Sequence, residues 1–99
     1  MLSLFKKKTN IPPSEGEQFI VQYFKDEKIR FEREVEIRNL KDDTKSYRRA
    51  DFYLPKYKTY VEFFGMWNNS KEDRSRYKQK MVVFSKNNIP CVYIYPENL

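Results

Sequence analysis

The chain contains no histidine and one cysteine, Cys91, in 99 residues. The first absence removes the commonest general base, the Ser-His nucleophile and the His-containing zinc sites. The second removes an internal disulfide and a four-cysteine metal site, and it leads us to expect a reducing, cytoplasmic compartment. No apolar run approaches the roughly 20 residues of a membrane span, so no membrane-embedded role is expected. Any catalysis would have to run on carboxylates, lysine, tyrosine or hydroxyls, with a hard metal held by oxygen ligands.

The charges that are present favour a polyanionic partner. Twenty Lys and Arg face fourteen Asp and Glu, a net charge of +6. Charge alone does not separate nucleic acid from an acidic membrane surface. Hydrophobic residues make up only 39%, yet aromatics reach 17%, with eight Tyr and eight Phe. That aromatic density argues for a folded core rather than disorder. At this length the core belongs to one domain. Residues 1–13 read as a basic arm carrying Lys6, Lys7 and Lys8, in which the apolar Leu2, Leu4 and Phe5 precede the lysines, the reverse order of a secretory signal.

Periodicity predicts the elements of residues 14–99. Ser14-Glu15-Gly16-Glu17 has the form of a capping box, and Ile20, Val21 and Phe24 continue at helical spacing to about residue 28. From Phe31 to Arg38 apolar and charged residues alternate, apart from Arg33, as in a strand with one wet face. Strands follow at about 47–54 and 59–64 around a four-residue loop, Pro55 to Lys58. A helix over 71–86 places Tyr77, Met81 and Phe84 on one face, and Cys91 to Tyr95 form a last short strand. The expected fold is a single mixed α/β domain of order α-β-β-β-α-β.

The most informative local feature is the second hairpin. With Leu54 paired to Thr59, Asp51 falls opposite Glu62, and two like charges about 5 Å apart destabilise a hairpin. A divalent cation between them would offset that cost, since Mg2+ and Mn2+ prefer carboxylate oxygens. Alternation puts Ala50, Phe52, Leu54, Val61 and Phe63 on the core face, and Arg49, Asp51, Tyr53, Tyr60, Glu62 and Phe64 on the other. An equally simple reading places both carboxylates in solvent beside Arg49 and Lys58. Lys80 stands at the border of the second helix's apolar face, either reaching the sheet or snorkelling to water.

Together these pieces resemble the PD-(D/E)XK nuclease superfamily, in particular its small restriction-endonuclease-like and Holliday-junction-resolvase-like domains. The resemblance rests on a helix carrying Glu17, then Arg49-Ala50-Asp51-Phe52-Tyr53-Leu54-Pro55, then Tyr60-Val61-Glu62-Phe63-Phe64-Gly65, a Lys-rich helix, and Pro90-Cys91-Val92-Tyr93-Ile94-Tyr95-Pro96. It covers about residues 14–99. It implies a restriction-endonuclease-like fold and Mg2+- or Mn2+-dependent hydrolysis of DNA phosphodiesters. Asp51, Glu62 and Glu17 then match the metal-binding acids. The family's lysine normally stands two residues after the second acid, where this chain has Phe64, and Ala50 replaces the usual proline before the Asp. Lys80 falls at the corresponding place on the following helix and is the expected catalytic lysine, with Lys78 and Gln79 as alternatives. Glu34 matches a recurrent acid of these domains without an assigned role.

Nucleic-acid contacts are expected from Lys6, Lys7, Lys8, Arg48, Arg49, Arg74, Arg76 and Lys78, together with Lys71. Cleavage selective for junctions, flaps, nicks or single strands is expected, and the resemblance implies a homodimer. A non-catalytic nucleic-acid-binding module on the same fold is the alternative, in which Tyr53, Tyr57 and Trp67 would stack on bases.

Overall fold

A computed structural model describes residues 10–99, so Lys6, Lys7 and Lys8 lie outside the described residues. The elements are helix α1 (Pro13–Asp26), strands β1 (Glu32–Arg38), β2 (Tyr47–Leu54) and β3 (Thr59–Phe63), helix α2 (Lys71–Lys86) and strand β4 (Cys91–Ile94). A 3-10 turn at Pro96–Asn98 follows. The four strands form one sheet in the order β1-β2-β3-β4. The first two pairings are antiparallel, and β3 pairs with β4 in parallel. That parallel pair requires a long crossover, which α2 supplies. Among the described residues no helix is long and apolar enough to cross a membrane.

Two sequence expectations at the start of the domain are corrected. Residues 10 and 11 of the expected arm are tied to the domain: Ile11 N–H donates to Gly65 O at 3.2 Å, and Asn10 Oδ1 accepts from Asn68 N–H at 3.0 Å. The capping box does not form. Pro12 is the N-cap and Pro13 opens α1, with no side-chain cap. Proline's fixed φ suits the first helical position, so the helix starts one residue before Ser14. Glu17 is therefore not occupied with capping.

Gly16 sets how closely α1 approaches the sheet. A Cβ built on it would lie 2.0 Å from Phe63 Cε2, inside a core where Phe63 is 4% exposed. Gly16→Ala is expected to cost about 1–3 kcal/mol through overpacking, although alanine is intrinsically the better helix former. Urea unfolding measures this, and a variant more stable than the parent would contradict the packing.

Two buried clusters lie on the two faces of the sheet. Ile20 and Phe24 of α1 pack with Phe52, Leu54, Val61 and Phe63, whereas Phe84 of α2 packs with Ile37 and Ala50. Ala50 thus departs from the expected common face with Phe52 and Leu54. The break falls at Asp51. Pairing of β1 with β2 passes from Arg33↔Phe52 to Val35↔Ala50, and the residue between, Glu34, has φ 51°. A left-handed residue in one strand interrupts the two-residue alternation of both.

Helix α2 is well anchored. Its N-cap Ser70 accepts from Asp73 N–H at 3.0 Å. At the other end the Asn87 side chain accepts from Lys41 N–H at 2.7 Å and donates to Lys41 O at 2.9 Å, which ties the β1–β2 connection to the helix.

Candidate functional site

Pairing of β2 with β3 runs from Leu54↔Thr59 to Phe52↔Val61. One step further, the carboxylates replace backbone acceptors. Asp51 N–H donates to Glu62 Oε1 at 2.8 Å, and Phe63 N–H donates to Asp51 Oδ2 at 2.7 Å. The two acids are therefore tied reciprocally where both ladders around Asp51 lapse. Glu62 is 4% exposed, so the reading of two solvent-facing carboxylates beside Arg49 and Lys58 does not hold. Arg49 instead faces Glu34 at 3.7 Å.

Lys80 reaches the site from α2. Its Nζ donates to Glu62 Oε2 at 2.6 Å and to Arg49 O at 2.6 Å. Phe64, where a strand lysine would stand, is fully buried and stacks on Tyr77 with ring centroids 4.1 Å apart. Lys78 takes a different position, over the Trp67 ring, and Gln79 is exposed.

One ammonium, bonded to the buried Glu62 and beside the half-buried Asp51, leaves one negative charge uncompensated. Burial, then Glu62, pushes the Asp51 carboxyl up to about 7, against the opposing effects of the Phe63 N–H and Lys80. Burial also raises Glu62, with Lys80 and the Asp51 N–H working against it. Glu62 has the direct ion pair with Lys80, and Asp51 has none.

Glu17 is brought near but not in. Its charge adds to the rise of both Asp51 and Glu62, while its Oε1 accepts from the Arg33 guanidinium at 2.8 Å. Among the described residues no three His, Cys, Asp or Glu side chains stand close enough together to hold a metal ion. Two carboxylates do stand together. Mg2+ is ordinarily bound by one or two carboxylates, with water and substrate phosphate filling the other places. Asp51 and Glu62 fit that donor set; of the Asp51 oxygens Oδ2 accepts from the Phe63 N–H, and both Glu62 oxygens accept bonds within the protein.

A groove of about 580 Å³ opens beside Glu62, lined also by Lys45, Arg49, Arg76, Tyr77 and Lys80 among others; Asp51 does not line it. Of the basic residues expected to meet phosphate, Arg49 and Arg76 line it, and Arg76 also pairs with Asp73. Arg48 touches the groove but is buried, gripped by both oxygens of Asp43 at 2.8 Å. Its guanidinium holds the Asp43 carboxyl below the usual carboxylate range. Arg48 is thus a structural cation rather than a free phosphate contact. Arg74, Lys78 and Lys71 line a separate recess on α2, where Arg74 donates to Trp67 O at 3.3 Å. Trp67 stacks with Phe64 and Tyr77, which removes it from the expected base-stacking set, whereas Tyr57 is exposed.

Three participants escaped the sequence reading: Arg33, Lys45 and Tyr77, whose hydroxyl accepts from Met66 N–H at 3.2 Å. Only Arg33 left a signal, as the charge that broke the alternation of β1. No family model matches the chain, and no curated protein or solved structure matches it.

Proposed function

We propose that this domain is a metal-dependent DNA endonuclease of the PD-(D/E)XK, restriction-endonuclease-like kind. The observation that carries the reading is Lys80 crossing from α2 to the buried Glu62, which is tied to Asp51 and lines a basic groove. Asp51 and Glu62 would hold Mg2+ or Mn2+. A divalent ion there would activate water and neutralise charge on the scissile phosphate. The role of Lys80 is to hold Glu62 ionised and to place a positive charge beside the reacting phosphate. Arg49 and Arg76 position the strand through its phosphates. An open basic groove favours substrates that present a strand or junction over a long sequence. The test is cleavage of plasmid and branched DNA by purified protein with and without Mg2+ or Mn2+; equal activity in Asp51→Ala would remove this reading.

Each phosphate contact contributes about one unit to the slope of log affinity against log salt. Arg49→Ala and Arg76→Ala are each expected to flatten that slope by about 0.7–0.9 in titrations with a labelled DNA strand. An unchanged slope would place the strand elsewhere.

One observation favours a non-catalytic nucleic-acid-binding module: both Glu62 oxygens are already engaged within the protein. Metal-indifferent DNA binding without cleavage would decide for it. The proposal includes a cytoplasmic homodimer. An apolar groove of about 530 Å³ lies between α1 and β4, where Phe19, Tyr23, Val92 and Leu99 are each about half exposed or more. A second copy would cover that face, and a monomer mass by light scattering would remove the dimer.

A further inference from the structure

Glu17 follows Gly16 at the helix–sheet contact, and its carboxylate is taken up by Arg33 of β1. Gly16 lies against Phe63, and the Phe63 N–H is bonded to Asp51 Oδ2 at 2.7 Å, so the residue after Gly16 is delivered to the edge of the carboxylate pair. Its charge acts on both Asp51 and Glu62. Yet its carboxylate is drawn across to β1 by Arg33, whose guanidinium also rests 5.5 Å from the Phe52 ring centroid. Arg33 is the one charge among Phe31, Val35 and Ile37 in the sequence alternation of β1, and in the structure it pairs with Phe52 just before the break at Glu34.

We infer that Arg33 is a positioning residue that holds Glu17 off the Asp51–Glu62 pair in the metal-free protein and yields it to an arriving divalent cation. This rests on the metal-binding reading above. Without Arg33, three neighbouring carboxylates would repel one another with only Lys80 to balance them. With a cation bound at Asp51 and Glu62, that repulsion reverses, and Glu17 gains more from turning inward than from keeping Arg33. The exchange is easy because the Arg33 side chain is 45% exposed. Exposed ion pairs of this type shift an equilibrium by about a factor of two to five.

Calorimetric titration of the full chain with Mn2+ at pH 8 tests this without reference to cleavage. Arg33→Gln is expected to bind Mn2+ about two- to fivefold more tightly than the parent, the size of the contact it gives up. Glu17→Gln is expected to bind more weakly, and adding Arg33→Gln to it should change nothing further. Arg33→Met serves the same purpose if the Gln variant does not fold. Unchanged or weaker binding in the Arg33 variant overturns the inference. So does tightening that persists in the Glu17→Gln background, because Arg33 would then act by simple charge repulsion. Parent protein that binds Mn2+ while Arg33→Gln binds it equally sinks only the latch; no Mn2+ uptake by any variant sinks the metal reading with it.

Discussion

Asp51→Asn is expected to lower metal-dependent cleavage about 10²–10³-fold and, in the same protein, to stabilise the metal-free fold above pH 7. The first effect follows from removing a ligand and half of the negative charge available to a cation. The second follows from linkage. Asp51 is held up at about 7 in the folded protein, against an ordinary value of 3.8. Between those values the folded state binds the extra proton, so stability is full below the unfolded value and falls as pH rises through about 7. The ionised group therefore costs the metal-free protein on the order of a few kcal/mol at pH 8. Asn keeps an oxygen for the Phe63 N–H and carries no charge. Thermal melts of parent and variant from pH 5 to pH 8 read the difference, which should be small at the acid end and should widen towards pH 8. Mg2+ should raise the melting temperature of the parent at pH 8 but not that of the variant. A variant less stable at every pH would mean that the carboxylate is held for the fold rather than for a cation.

Lys80→Met carries the second large effect, on stability as much as on activity. Glu62 is 5% exposed at its side chain and its ion-pair partner is Lys80, 2.6 Å away. Removing one member of a buried pair typically costs about 3–5 kcal/mol, because the other charge is stranded. The loss should shrink as pH falls through the carboxylate range, since a protonated Glu62 needs no cation. Methionine retains an apolar stem of similar length but gives up the ammonium that lies 5.8 Å from the Phe84 ring centroid. The double variant Glu62→Gln with Lys80→Met should recover most of the stability and none of the cleavage. Denaturant unfolding at pH 7 and pH 4.5 makes the comparison, and a pH-independent loss would point to packing instead of charge.

The mixed α/β class, the four-stranded sheet and its two helices were legible in the sequence because apolar residues recur at helical or alternating spacing and polar turn residues bound each run. The α2 bounds at 71–86 and the Pro55–Lys58 loop are visible for the same reason: Ser70 and Asn87 cap the helix, and proline begins the loop. The acid pair was legible as a register argument, and the structure adds what register cannot show, that each carboxylate takes the other strand's N–H. Three features were not legible. The φ of 51° at Glu34 has no glycine or asparagine to announce it, so Ala50 was placed on the wrong face. The start of α1 was decided by Pro12 and Pro13 over an apparently good capping box. Arg48 shares the parity of the buried Ala50, Phe52 and Leu54, but its charge reads as a phosphate contact, and only the return of Asp43 from the preceding turn makes it a buried pair.

The account turns on whether the two carboxylates and one lysine form a cation site. Anomalous scattering from a crystal soaked in Mn2+ at pH 8 tests that most directly. The account predicts a peak between Asp51 and Glu62, about 2 Å from an oxygen of each. A refined structure with no peak there, and with Lys80 Nζ still seated on Glu62, would contradict it.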